Sequence, residues 1–392
     1  MTSSENGALL LFGDTERSAA LRHEIPLTII DALLFAERDG RRCILTSRLE
    51  RDRIARVLPD AELLDFTELG LRELVENGMD RDVAEREVVC RALAQVGIDR
   101  ATVPADFPLA LGDRLREAGV QLVVDDAAVR RRRRVKAGAE LDGIRLAQRA
   151  AEAGMAAAAE LLARAEPAPD GRLRLGGEEL QTETVREAIR AACAAAGAPC
   201  PPDILVSTLW TAFGHDPGTG PLPAGLPITV DLWPRHESSG CWADMTRTFV
   251  VGPPRAEAAE RIEREERLVR TALERAREAI RPGVTGRELH DIVCDLFEEA
   301  GYATQRTAPP GASEGFQFSL GHGVGLEVHE APLLGRGGRD PLVAGDVVAI
   351  EPGLVTDGFG QIRFEDLVLV TDDGSETLTR YPYALAPDGV AR

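Results

Sequence analysis

An α/β (α+β) fold in two domains, residues 1–128 and 129–392, follows from three features of the sequence. The 392 residues are 44% hydrophobic but only 4% aromatic, so Leu, Val, Ile and Ala must fill the core. Short strand-like and helix-like segments alternate through the first third of the chain, and the composition then breaks at an arginine run, Arg130 to Arg134. Beyond that break the chain repeats one order, helix, helix, then β-ribbon, which predicts an internal pseudo-twofold repeat with a site where the halves meet.

In the first domain, IPLTIIDALLFAER and GRRCILTSR are paired strands around a turn. RDRIARVLP and DVAEREVVCRALAQVG have helical spacing, and QLVVDD is a strand end. This smaller α/β unit carries no catalytic cluster. Its boundary falls near Ala128, and the arginine run reads as a solvated linker. The first pass of the repeat opens with an Ala-rich helix over 139–165, alanine being the strongest helix former. A helix over 178–196 stopped by Gly197, a strand over 203–209 and a ribbon over 226–251 follow. The second pass is a charged helix over 255–280, a break at RPGVTG, a helix over 285–300 stopped by Gly301, and a ribbon over 346–370.

Bulk chemistry excludes several function classes. A net charge of −19 argues against a nucleic-acid surface. No apolar run reaches the length of a membrane span. The six cysteines form no C-x-x-C and, with no secretory signal, are expected to be reduced thiols of a cytoplasmic protein. Lys136, the chain's one lysine among many arginines, reads as codon bias with little chemistry.

The ribbons carry the chemistry. A turn centred between Glu237 and Ser238 sets Asp231 opposite Asp244, and one centred on Gly358 sets Glu351 opposite Glu365. Facing like charges destabilise a sheet, and burial worsens it, so something positive must compensate. For one pair, Arg247 or Arg363 would serve as well as a metal. Two pairs in matching positions, with His322 and His329 of SLGHGVGLEVHE between them, favour two hard or borderline divalent ions. The glycines around His322 are expected to allow close approach to the site. Seven positions of extended chain separate His329 from His322, which puts the two on opposite faces.

Asp…Asp-x-Thr-Arg-Thr, Gly-His-Gly-x-Gly, Ile-Glu-Pro-Gly and Arg-x-Glu-Asp together resemble the motifs of the M24 "pita-bread" metallopeptidases, which include methionine aminopeptidases, Xaa-Pro aminopeptidases and prolidases. The resemblance runs from about Val135 to Thr379, and the preceding unit resembles the N-terminal domain of the creatinase and prolidase branch. It implies a pita-bread second domain and a metal set of Asp231, Asp244, His322, Glu351 and Glu365 around a bridging water. Two divalent ions are implied, manganese foremost, with cobalt or zinc as alternatives. Asp244 and Glu365 would span both ions, and Glu351 would shuttle the proton of a metal-bridging hydroxide. His329 would steady the tetrahedral intermediate, His215 would face the substrate, and Arg363 would bind beside the metals. The implied activity is hydrolysis of the N-terminal peptide bond of short peptides, Xaa-Pro in particular, by a homodimer. The alternatives are a hydrolase or lyase of a small non-peptide compound and, behind these, a non-catalytic interaction module. The chain departs from the family pattern twice. Phe318 stands where Xaa-Pro enzymes commonly carry a histidine, and as a substrate-binding position it leaves the proline requirement open. The Asp231–Asp244 loop is two residues longer, which could bring Arg235 or His236 to the rim, although a solvated loop is the simpler reading for His236.

Overall fold

A computed structural model describes residues 7–136, 138–208 and 216–389. They fall into two compact units, Met1–Arg133 and Arg134–Arg392.

Among its described residues the first unit holds a six-stranded sheet. Ala8–Gly13 lies within it, antiparallel to Leu33–Arg38 and parallel to Arg100–Val103. The expected strand pair forms between Leu33–Arg38 and Arg41–Thr46. Its two-residue turn, Asp39 and Gly40, has φ of 52° and 76°, the left-handed backbone such a hairpin requires. Alternation then fills both faces. Leu10, Leu34 and Leu45 pack against the helix Arg81–Gln95, while Leu11, Phe35 and Ile44 pack with Ile54 on the other side. The arginine run is not a solvated linker. It lies in the helix Asp126–Arg134, and Arg132 donates to Glu24 at 2.6 Å and to Glu37 at 2.9 Å. These charge-assisted bonds hold residues 129–133 in the first unit, so the division falls after Arg133 rather than near Ala128. Arg134 belongs to the second unit, where it makes a two-pronged bond to the fully buried Asp346 at 2.9 and 2.5 Å.

The second unit follows the expected order twice. The helix Gly138–Ala163 buries an alanine face (Ala147, Ala150, Ala151, Ala158) against the helix Thr182–Ala195. That second helix starts later than residue 178 because Glu178–Glu179 pairs as a short strand with Leu173–Leu175. Leu205–Thr208, Pro227–Leu232 and Met245–Val250 form an antiparallel sheet. In the second pass, Ala259–Ala279 packs on Gly286–Glu299. The latter starts with a capping box in which Thr285 and Glu288 exchange bonds, a device worth about 1 kcal/mol. Its Leu289, Val293 and Phe297 share a core with Val348, Ile350 and Val368 of a five-stranded sheet. No helix among the described residues is long and apolar enough to cross a membrane.

Candidate metal centre

Two ribbons build the site by pressing polar faces together. In the first, Asp231 pairs with Thr246 and Thr229 with Thr248. Asp231 therefore does not face Asp244 directly. The loop closes between His236 and Cys241, which centres the turn one residue later than the sequence reading placed it. The resulting slip is two residues, so parity is kept. Asp244 sits diagonal to Asp231 on the same face, where a slip of one would have turned it away. In the second ribbon Gly353 pairs with Arg363 and Ile350 with Asp366, in one continuous register. Glu351 and Glu365 fall opposite each other within it.

Threonines stitch the ribbons together. Thr229 Oγ1 donates to the Gln361 carbonyl at 3.1 Å, and Thr248 Oγ1 to the Arg363 carbonyl at 3.0 Å. Thr246 Oγ1 donates to Glu365 Oε2 at 2.7 Å. Behind them Arg247, fully buried, donates to the Thr246 and Glu365 carbonyls at 2.8 and 2.7 Å and to Asp366 at 2.9 Å. Arg247 therefore holds the backbone under Glu365 and does not neutralise the acidic pairs.

A cavity of about 280 Å³ opens on this seam, lined by Asp203, Asp231, Trp233, Asp244, His322, Val328, His329, Glu351, Arg363 and Glu365. Their ligand atoms gather into three groups, each within 4.8 Å: Asp231, Asp244 and Glu365; His322, Glu351 and Glu365; Asp244, His322 and His329. Asp244, His322 and Glu365 each belong to two groups, so the three groups form one connected cluster.

His322 lies on the strand Gly321–Gly323, held between Glu330–Leu334 and Val347–Ile350. The glycines serve those neighbours rather than the site. A Cβ on Gly321 would stand 1.9 Å from the Ala349 carbonyl oxygen, and one on Gly323 2.3 Å from that of Ala331. The chain bulges after His322 and curls back. His329 thus returns to the same cavity, its ring edge-on to His322 at 4.2 Å, instead of the opposite face that an extended segment would impose.

The electrostatics are unbalanced. Arg363 pairs with Asp231 and lies 3.4 Å from Glu351. Asp244 Oδ1 and Glu365 Oε1 are buried with no hydrogen-bond partner. Burial raises the Asp244 carboxyl well above the carboxylate range, with Glu365, Asp231 and Glu351 adding to it. Glu365 rises for the same reasons, burial first and then Glu351 and Asp231. Burial lifts Glu351 to about 7 against the pull of Arg363. Burial opposes the charge on Arg363 too, but the surrounding carboxylates outweigh it and hold its pKa above the usual value. Burial, with His329 beside it, drops His322 to about 3, so its ring is neutral. His322 Nδ1 lies 3.1 Å from the Gly323 carbonyl oxygen, which can only accept, so Nδ1 carries the hydrogen. The bare Nε2 then faces Asp244 at 3.6 Å and Glu351 at 3.7 Å. A lone pair aimed at two carboxylates is repulsive unless a proton or a cation lies between them. The donor set of carboxylate oxygens and one imidazole nitrogen, with two orphaned buried oxygens, fits divalent cations.

Not every expected residue enters the cavity. His215 lies outside the described residues. Phe318 does not line the cavity but packs edge-on against Phe316 at 5.0 Å. Arg235 donates to the Gly240 carbonyl, and His236 bonds Ser239 at 2.9 Å, so both close the turn. Sequence reasoning missed Asp203, Trp233 and Val328 on the lining and Thr246 behind Glu365. Only Thr246 had a signal, its place two residues after Asp244 on the same strand face.

Comparison with known proteins agrees with this geometry. Residues 142–372 match the model of metallopeptidase family M24. The chain is 40% identical over 138 residues to the Xaa-Pro dipeptidase of Pyrococcus furiosus, a match spanning 35% of this chain and 36% of that protein's length. It is 32% identical over 288 residues to a probable dipeptidase PepE of Mycobacterium tuberculosis, covering 72% of this chain and 68% of that one. The prolidase of Pyrococcus horikoshii superposes with a TM-score of 0.73 at 24% identity, over 97% of this chain and 95% of that one, a likeness of fold. The fold is therefore the pita-bread fold preceded by an N-terminal domain, and the chain belongs to metallopeptidase family M24.

Proposed function

We propose that this chain is a dinuclear-metal-dependent peptidase that hydrolyses the N-terminal peptide bond of short peptides, with Xaa-Pro peptides as the first substrate class. The observation that carries the reading is His322. A neutral imidazole presenting a bare nitrogen to two carboxylates, beside two orphaned carboxylate oxygens, is an arrangement that cations complete. Asp231, Asp244, His322, Glu351 and Glu365 would hold two ions, with manganese our first choice for a largely oxygen-donor site. The unit Arg134–Arg392 would be the catalytic domain and the preceding unit a creatinase/prolidase-type domain. The names of the relatives, Xaa-Pro dipeptidase and probable dipeptidase, support the substrate class. Six free cysteines support a reducing compartment, the cytoplasm, and family likeness supports a homodimer.

When bound, the cations supply positive charge that acidifies water and polarises a carbonyl. The Glu351 carboxyl, with its proton affinity lifted near neutrality, is suited to take a proton from the attacking water and return it to the leaving nitrogen. The His329 ring, exposed at the cavity, is placed to donate to the developing oxyanion. Arg363 stays charged and keeps Asp231 and Glu351 aligned.

The test is a panel of Xaa-Pro dipeptides and tripeptides, assayed with Mn²⁺, Co²⁺ and Zn²⁺ after chelation. We expect release of the N-terminal residue, lost with chelator and regained with metal. Metal uptake without cleavage of any peptide would move the reading to a small non-peptide substrate. No metal uptake at all would end it.

A further inference from the structure

The segment 324–330 carries His329 out of one strand and into the next. Several anchors shape it. Val324 N–H donates to the Val347 carbonyl at 2.9 Å, and Gly325 N–H to that of Glu327 at 3.0 Å. Trp242 grips it twice, from its backbone N–H to the Gly325 carbonyl at 2.8 Å and from its indole N–H to that of Leu326 at 3.2 Å. Another anchor is an ion pair. Lys136 Nζ bonds Glu330 Oε1, and the two side chains are 3% and 5% exposed. The second Glu330 oxygen accepts from the Glu327 N–H at 3.4 Å. Glu330 is His329's neighbour in the chain.

Burying an ammonium costs several kcal/mol unless a partner is placed well, so a pair this enclosed ties both residues to one geometry. Elsewhere this chain uses arginine for every basic position, yet here it keeps its single lysine. The space explains the exception. A Cβ on Gly325 would stand 2.7 Å from both Glu330 Oε1 and Lys136 Nζ, so the ion pair packs directly against a bare backbone, a setting that suits a compact ammonium. Lys136 therefore carries more chemistry than the sequence reading assigned it.

We propose that Lys136 is a positioning residue for His329: by clamping Glu330 it sets the turn that presents the His329 ring to the cavity. The catalytic consequence rests on the peptidase reading, but the positional one does not. The experiment uses the full chain in two variants, Lys136→Met and the charge-free double variant Lys136→Met/Glu330→Gln. The double variant avoids leaving a buried carboxylate unpaired. The first measurement is imidazole ¹⁵N–¹H NMR of the metal-free protein at one fixed pH, the His329 signal being assigned by its loss in His329→Gln. We expect the His329 signal to move or broaden while that of His23 holds. The second measurement is peptidase kinetics with metal loading checked as equal. We expect kcat to fall by roughly tenfold to a hundredfold with KM within about threefold, the signature of a misplaced group rather than a lost binding contact. Unmoved His329 signals and unchanged kcat, with only Tm lowered, would overturn the proposal. If Lys136→Met does not fold, the double variant decides by the same criteria. If the parent chain cleaves no peptide, the function reading falls and the NMR result alone judges the clamp.

Discussion

At His322 the bond to the Gly323 carbonyl decides which nitrogen faces the carboxylates bare. Nδ1 gives its hydrogen to the Gly323 carbonyl, and what remains is a ligand aimed where Asp244 and Glu351 converge. Glu351 is the residue whose removal should separate chemistry from architecture. Glu351→Gln keeps the size and one coordinating oxygen but cannot shuttle a proton. It should lower kcat by roughly 10²–10⁴-fold while the circular dichroism spectrum stays that of the parent. Activity at the parent level would remove Glu351 from the proton path. Much of this scale was legible beforehand, because acidic residues inside apolar strands are costly and announce themselves. Asp203 was not: it was read as the first residue of a strand, but the strand starts at Leu205 and Asp203 lies in the turn before it, where no periodicity says which way a side chain points. Phe318 was readable as unusual, but its partner Phe316 lies two positions away on the same face, and aromatic packing drew it off the cavity lining.

Elements explain how so few side chains are held so closely. The ribbons meet through threonine hydroxyls and one buried guanidinium, groups that sequence patterning cannot pair across more than a hundred residues. The register of the second ribbon was legible because a short glycine turn fixes it. The first was misread by two residues because its longer loop can close in more than one way, and only parity survived. The strand bearing His322 runs between two neighbours so close that Gly323 has no room for a methyl group. Gly323→Ala should therefore cost about 1–3 kcal/mol and displace His322, seen as a lower Tm and weaker metal binding by calorimetry. A variant with parent Tm and metal affinity would show that the strand can give way.

Over the whole molecule the buried carboxylates couple protons to folding, and cations bound there would join that coupling. Asp244, Glu365 and Glu351 hold protons in the fold at pH values where the unfolded chain has released them. The metal-free fold therefore loses stability as pH climbs from the carboxylate range through about 7 for Glu351, whose rise from 4.5 alone is worth roughly 3 kcal/mol. His322 acts with the opposite sign. Depressed from 6.5 to about 3, it contributes stability that grows between those values and is constant above them. Three raised carboxyls outweigh one imidazole below its ordinary value, and nothing offsets them above it. The Tm gain on adding divalent cations should therefore be larger at about pH 8 than at about pH 5.5, measured by scanning fluorimetry. An equal gain at both would place the cations elsewhere. The lining described above also imposes an order of events. With Asp203, the cavity wall carries five carboxyl groups against one guanidinium. A dipeptide brings a carboxylate of its own at its far end, and at about pH 8, once Glu351 has released its proton, that charge would meet negative charge on the wall until cations had entered. On the proposed function, loading would then precede docking, and a peptide should be a guest of the metallated chain alone.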